Sequence, residues 1–401
     1  LLLFVVFLLA YMLSQFYRSF LAVIAPGLAA ELGLTASDLA NMAAAWFVVF
    51  AIVQFPLGVA LDRIGPRRTV PLLMLAAVAG AIVLANATGA WGCIIANALI
   101  GLGCSPIYMG ALYYLGRTVP PERFGFVSAC LLGFGTSGNL LAATPLAFAT
   151  ERFGWRATFV GIAVFTLAAA ALFYLLVRDP PPAERPKGKS SALAELIEII
   201  TLPRFWTLMP ILMLGYAAVV VERGLWLGPY FAEVQGLHGV SLGNAALAMA
   251  VAMSAGALFF GYIDKLVPHE RKRLVVLGTA LTGVGFALLA AVPEPSVALA
   301  VATFAFIGCL GLCQPLLFAH ARQFFPDHLL GRGMTFANFL TIGGSGLVQW
   351  ATGVYISSLQ ASAIPAPQVY AALHAVMAVL VIAATAIYLW SPRPDAIKRN
   401  L

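Results

Sequence analysis

A hydrocarbon layer about 30 Å thick is crossed by roughly 20 apolar residues in an α-helix, since each residue advances the helix by about 1.5 Å. The chain supplies twelve stretches of this kind, at 1–30, 39–61, 70–87, 91–115, 124–149, 157–177, 205–232, 242–263, 274–292, 296–321, 334–359 and 369–390. Only 10% of its residues are charged and 62% are hydrophobic, whereas a soluble domain carries about 25% charged residues. A water-soluble fold is excluded. In lipid, a backbone can satisfy its own N–H and C=O groups only as a helix or a closed barrel, and stretches of this length call for helices. The expected fold class is an all-α polytopic membrane protein with twelve transmembrane helices.

The charges fix the expected topology. Basic residues are retained on the cytoplasmic side during insertion, and 19 of the 23 Lys and Arg fall in the loops after helices 2, 4, 6, 8 and 10 or in the C-terminal tail. The opposite loops hold only Arg152 and Arg156. Both termini are therefore expected in the cytoplasm, and the net charge of +7 reports topology, with no nucleic-acid partner implied. The first stretch is too long for a signal peptide and has no convincing small-residue cleavage site, so it is kept as a span. Since the chain opens inside this apolar run, a short cytoplasmic tail is expected ahead of Leu1. The five cysteines lie within helices without metal spacing. No metal, disulfide or cofactor is expected.

The longest polar stretch runs from Arg178 to Ser191 and separates six helices from six. This divides the chain into an N-terminal bundle at 1–177, a cytoplasmic linker with a short amphipathic helix at 178–203, a C-terminal bundle at 204–390 and a cytoplasmic tail at 391–401. The two halves look like parallel repeats, giving two pseudo-symmetric six-helix bundles. Helix 4 carries Cys104-Ser105-Pro106 where helix 10 carries Cys313-Gln314-Pro315. Phe126, Gly133 and Asn139 of helix 5 correspond to Phe336, Gly343 and Gln349 of helix 11, and helices 2 and 8 both end in a glycine followed by an acidic-basic pair. Pro106 and Pro315 predict kinks in two corresponding helices.

Gly58, Leu61, Asp62, Arg63, Gly65, Arg67 and Arg68 resemble the loop 2-3 signature G-x-x-x-D-R-x-G-R-[KR] of the major facilitator superfamily. The resemblance extends over all twelve helices and implies a transporter that alternates access to a central site. It makes the cluster a conformational latch. Gly58 is expected to permit close helix approach, while Asp62 faces the positive N-terminal end of a neighbouring helix and pairs with a loop arginine.

Two arginines lie inside membrane helices, where insertion scales assign a cost of about 2.5–3.5 kcal/mol each at the centre. Arg18 follows Tyr11, Ser14 and Gln15 by seven, four and three residues, forming one polar stripe on helix 1. Tyr216, Arg223 and Tyr230 recur every seven residues on helix 7. A guanidinium presents a planar fork of donors that suits carboxylate and phosphate oxygens and does not lose its proton. The superfamily resemblance places helices 1, 4, 7 and 10 around the substrate, which implies a small anionic solute. Tyr108, Trp226, Asn139 and Gln314 complete the expected binding set. Neutralisation of both arginines by protein groups is the alternative.

Helices 1 and 7, with Tyr17-Arg18 before Pro26 and Arg223-Gly224 before Trp226, Pro229 and Tyr230, also resemble those of organophosphate:phosphate antiporters. Those transporters hold a phosphoryl group between one arginine from each helix. This chain departs from them in its proline spacing, eight residues after Arg18 but six after Arg223, and in carrying Thr136 and Asn139 on helix 5 in place of a histidine.

Glu222 is the only carboxylate deep in a span, and it is the candidate carrier of a coupling proton, an ion pair being the other reading. His374 reads as a satisfied interfacial histidine. Asn97, Gly101, Cys104, Ser105 and Tyr108 line one seam of helix 4, either facing a cavity or packing helices.

The expected function is secondary transport of a small organic anion, a phosphate ester or carboxylate, by exchange with a counter-anion or by proton coupling. The setting is a cell membrane, of the bacterial inner-membrane kind, with the protein a monomer in the lipid bilayer. A proton-driven exporter of amphipathic compounds and a non-transporting sensor or assembly relative are the alternatives. An enzyme is not expected, since HExxH and P-loop motifs are missing from the sequence.

Overall fold

The computed structural model describes residues 2–120, 127, 130–131, 133–179, 198–202, 205–325 and 330–392. The core of the expected linker, the expected amphipathic helix up to residue 197 and the tail from residue 393 lie outside the described residues.

Every apolar stretch is helical in its described part, and no strand occurs among the described residues. The first span is α1 (Leu2–Ser19) and α2 (Leu21–Leu32), interrupted at Phe20. Next come α3 (Ala36–Ile64), α4 (Pro66–Ala85) and α5 (Ala90–Thr118). The described part of the fifth span forms α6 (Gly138–Leu141) and α7 (Thr144–Phe153), and the sixth is α8 (Trp155–Leu176). The seventh consists of α9 (Met209–Val221), a π-helical turn at Glu222–Trp226 and α10 (Leu227–Glu233). The remainder are α11 (Gly239–Leu266), α12 (Arg271–Ala291), α13 (Val297–Gly311) with α14 (Gln314–Ala321), α15 (Leu330–Ala361) and α16 (Ala366–Leu389).

Ten of the helical segments among the described residues are long and apolar enough to cross a membrane. The fifth stretch falls partly outside the described residues. The eleventh is the 32-residue α15, which is long enough but is diluted by its many Gly, Thr, Ser and Gln residues.

Two compact units emerge, Leu1–Glu184 with Gly224–Leu247, and Arg185–Arg223 with Ala248–Leu401. The boundary inside the seventh span falls in the π-turn. Within the first unit α4 packs on α5 and α8, and α1 on α6; within the second α12 packs on α13 and α16, and α9 on α15. Spans 3–4, 3–6 and 1–5 thus pair as do spans 9–10, 9–12 and 7–11. This is the parallel repeat expressed as packing.

Local chemistry sets the helix ends. At the start of α3 the Thr35 hydroxyl accepts from the Asp38 amide at 3.1 Å while the Asp38 carboxylate accepts from the Thr35 amide at 2.9 Å, a capping box. At the end of α2 the Glu31 carboxylate accepts from the Trp155 indole at 2.5 Å and from Arg156, and Arg156 also donates to the Ala87 carbonyl at 3.1 Å. The Trp155 hydrogen bond, followed by that from Arg156, holds the Glu31 carboxyl below its ordinary range. Arg156, one of two basic residues on its side of the membrane by sequence, therefore ties three helix ends together.

The two kink prolines behave differently. Pro315 lies in the first turn of α14, just after the gap that follows α13. Pro106 sits inside the continuous α5. A helical proline leaves the carbonyl four residues earlier without its donor, and here the Ser105 hydroxyl lies 2.7 Å from a nearby carbonyl, that of Leu102, and donates to it. That carbonyl is the one Pro106 leaves open. The helix is thereby preserved.

Candidate functional site

In the first unit, α1 carries the expected polar stripe. Tyr11, Ser14 and Gln15 are all buried, and the Gln15 amide donates to the Tyr11 hydroxyl at 3.0 Å. The Tyr11 ring lies 5.1 Å from that of Tyr108 on α5. Arg18, partly exposed, places its guanidinium 4.9 Å from the Trp46 ring centre and 5.8 Å from that of Phe50, both on α3. Cation–π contacts of this kind contribute about 0.5–1 kcal/mol when exposed and about 2 kcal/mol when desolvated. They also fix where the planar fork points. Trp46 and Phe50 are contacts of the candidate arginine that the sequence reading missed. Their signal was the four-residue spacing of two aromatics on one face of α3.

Other neighbours define the stripe's edge. Ser19 donates to the Asn139 side chain at 2.7 Å, and Tyr17 shares a 2.8 Å hydrogen bond with Thr166 on α8. Asn139 is thus joined to helix 1. The helix 4 seam divides in two. Asn97 donates to the Met42 carbonyl at 2.7 Å, and a side chain at Gly101 would strike the Trp46 backbone. That end packs helices. Cys104 and Tyr108 instead meet Ser14 and Tyr11 of the stripe.

Trp226 and Tyr230 belong to the same unit and are 1% and 2% exposed. The backbone of α10 comes extremely close to α2. A Cβ at Gly228 would overlap the Ala22 carbonyl oxygen, which Pro26, four residues on, leaves without an intrahelical donor. Only glycine fits there.

In the seventh span, whose part up to Arg223 belongs to the second unit, residues 217–231 form one continuous buried run through the π-turn. Glu222 is 0% and Arg223 1% exposed. Pro229 cannot donate to the Leu225 carbonyl, and a π-turn in the preceding residues absorbs that loss; such turns rotate the side chains they contain relative to a regular helix. Glu222 accepts from, or donates to, His374 Nε2 at 3.2 Å. His374 is 0% exposed on α16, between Phe286 at 6.1 Å and Phe304 at 5.8 Å. This corrects the interfacial reading of His374. A lone histidine in an apolar helix looks the same in sequence whether its partner is water or a distant carboxylate. Tyr216 and Gln314 of this unit are partly exposed.

The signature loop is organised differently from its expectation. Gly58 is exposed, and among the described residues a Cβ there would meet nothing within 4 Å, so the described residues make no close approach to it. The tight contact is at Gly65, whose φ of 85° and ψ of 161° suit glycine, and where a Cβ would collide with the Asp179 carboxylate. Asp179 accepts from the Arg67 amide at 2.8 Å, placing its negative charge at the N-terminus of α4. Arg67 also donates to the Tyr174 carbonyl at 3.2 Å and lies 5.1 Å from that ring. Arg63 and Arg68 are exposed, and the Asp62 side chain lies outside the described residues. Asp179 therefore supplies an acid at the α4 N-terminus, while the expectation for Asp62 lies outside the described residues. Asp179 was read as linker because it follows the sixth apolar stretch. The equivalent loop of the second unit contains an acid–arginine pair, Asp264 accepting from Arg271 at 2.5 and 3.0 Å.

The description Major Facilitator Superfamily belongs to the family model that matches residues 7–349. The chain belongs to that superfamily. Among curated members, it is 26% identical over 328 residues to a hexuronate transporter of Bacillus subtilis, covering 76% of each chain. It is 27% identical over 292 residues to a chloramphenicol resistance protein of Streptomyces lividans, covering 71% of each. The crystal structure of a D-xylose-proton symporter superposes with a TM-score of 0.79 over 98% of both chains, at 14% identity, a likeness of fold. As a superfamily member the chain is a multi-pass membrane transporter of small solutes rather than an enzyme.

Proposed function

We propose that this transporter moves a small organic anion, a carboxylate or phosphate ester, by alternating access, with Arg18 and Arg223 as the anion-binding residues. The observation that supports the reading is that each arginine belongs to a long apolar span, with Arg18 against Trp46 and Phe50 and Arg223 in the π-turn at 1% exposure. Cations are expensive there and are retained where they serve a substrate or ion path. The hexuronate of the Bacillus relative is a carboxylate, in keeping with this assignment.

Tyr11, Ser14, Gln15, Tyr108, Asn139, Tyr216, Trp226, Tyr230 and Gln314 supply the polar and aromatic remainder of the site. The loop of Gly58, Asp62, Arg63, Gly65, Arg67 and Arg68 acts as the latch, with Asp179 as its anchor. The protein works as a monomer in a bacterial inner membrane with both termini in the cytoplasm, and its bundles are 1–177 and 204–390. The chloramphenicol resistance relative favours a second reading, export of uncharged or amphipathic compounds. A ligand-stabilisation screen of the purified protein with phosphate esters, carboxylates, sulfonates and neutral sugars separates the two. Stabilisation by anions supports the first reading, and stabilisation confined to uncharged compounds overturns it.

A further inference from the structure

Span 11 carries a buried polar seam that lies outside the candidate site. Thr341, Ser345, Gln349 and Thr352 recur on one face of α15, all buried, while Leu347, Trp350 and Val354 on the opposite face are exposed, as a lipid-facing side is. The seam therefore faces the protein interior. Small polar residues on such a face are ordinary packing material, and the three hydroxyls behave that way, each donating to a carbonyl of its own helix at 2.8–3.0 Å. Gln349 does not. It is 0% exposed, yet neither its amide nitrogen nor its amide oxygen has a hydrogen-bond partner among the described residues.

The internal repeat explains why. In the first unit Asn139, the counterpart of Gln349, is joined to helix 1 by the Ser19 hydroxyl, and Ser19 directly follows Arg18. The residue that follows Arg223 is Gly224, which has no side chain to offer. A primary amide presents two donors and an acceptor, and leaving them unmade in a buried place is costly. Gln349 also stands near the depth of Arg223. Gly344 seats α15 against α9, where a Cβ would strike the Met213 carbonyl. Four crossings separate these spans, so both advance in the same direction, and Gln349 lies five residues beyond this contact and Arg223 ten. The difference is about 7.5 Å along the axis, within the span of a sugar-sized ligand.

We propose that Gln349 is a specificity residue of the transport site that hydrogen-bonds hydroxyl groups of the cargo, which is therefore a polyhydroxylated anion of the sugar-acid or sugar-phosphate class. An amide N–H donates to one hydroxyl oxygen while the amide oxygen accepts from the same or the neighbouring hydroxyl. A vicinal diol meets this pairing and a bare hydrocarbon does not. A site built to pair such groups rejects the analogue that lacks them, because its own buried groups are then left unpaired. That the cargo is an anion rests on the reading of Arg18 and Arg223 above, whereas the hydroxyl contact does not.

The test compares the parent with Gln349→Met, which keeps the length of the side chain and removes the amide. Calorimetry on the purified full chain uses glucuronate and glucose 6-phosphate as hydroxylated anions, cyclohexanecarboxylate as an anion without hydroxyls, and glucose as an uncharged polyol. The parent should bind one of the hydroxylated anions at least about tenfold more tightly than cyclohexanecarboxylate. Gln349→Met should lose that preference by weakening the hydroxylated anion alone. Without ligand, Gln349→Met should melt at or above the parent's temperature, since it deletes an amide that makes no internal hydrogen bond. A variant that is markedly less stable, or that does not fold, shows that the amide has a structural partner and overturns the proposal. So does a folded variant that keeps the parent's preference. Parent protein that binds the hydroxylated compounds no better than cyclohexanecarboxylate overturns it as well. Glucose bound in place of the anions, with that binding weakened in Gln349→Met, supports the hydroxyl contact and counts against the anion reading instead.

Discussion

Gly65→Ala tests the anchoring of the signature loop. At φ 85° and ψ 161° an alanine sits in backbone territory that costs about 1–3 kcal/mol for a residue with a side chain. The new Cβ would also displace the Asp179 carboxylate, removing a helix N-terminal acceptor worth about 0.5–2 kcal/mol. Together these give a loss of about 1.5–5 kcal/mol. Asp179→Ala alone should lose only the second part, since it removes the acceptor at Arg67. The double variant then costs less than the two singles combined, because the collision partner has gone. Reversible denaturation of the four purified proteins in detergent gives the coupling energy directly. A Gly65→Ala protein as stable as the parent, or strict additivity in the cycle, would refute the claim that Asp179 closes on Gly65.

Gly228→Ala should disrupt the packing of α10 on α2, because the added methyl overlaps the Ala22 carbonyl; overpacking of this kind costs about 1–3 kcal/mol, and unchanged thermal stability with unchanged transport would contradict the contact. The Glu31 carboxyl is held below its ordinary range by Trp155 and Arg156, so its stabilisation is present above the unfolded value and is lost as pH falls through the folded one. Glu31→Gln should therefore flatten the acid limb of the stability curve, and a limb identical to the parent's argues against the clamp. Ser105→Ala leaves the Leu102 carbonyl beside Pro106 without its donor and should cost about 1–3 kcal/mol, read by the same denaturation assay.

The twelve apolar stretches and their division into two repeats were legible in the sequence because lipid imposes a requirement on every residue of a span, one that composition alone reveals. What occurs within a span was less so. The interruption at Phe20, the π-turn at Glu222–Trp226 and the gap after α13 all sit a few residues before a proline. Yet Pro106 lies in an unbroken helix because Ser105 intervenes. Proline marks where a backbone carbonyl is released, and the neighbouring donors decide whether the helix breaks. Pairings across helices were the least legible. Arg18 and Glu222 stand out as charges in apolar sequence, but Trp46, Phe50 and His374 are ordinary membrane residues until the packing brings them together. Asp179 was hidden for a related reason, since polar residues beside a span look alike whether they are solvated or cap a helix 112 residues away.

The account's central claim is that Arg18 and Arg223 grip an anion through their forks of donors. Lysine at either position keeps the charge but removes the fork, and losing one charge-assisted contact of about 1.5–3 kcal/mol weakens binding roughly tenfold to somewhat over a hundredfold. The decisive measurement is anion affinity, by calorimetry on folded protein, for the parent, Arg18→Lys, Arg223→Lys and the double variant, with glucuronate, glucose 6-phosphate and xylose as ligands. The account predicts weakened anion binding in each single variant and non-additive losses in the double. Folded single variants that bind anions as tightly as the parent, alongside preferential binding of neutral xylose, would contradict it.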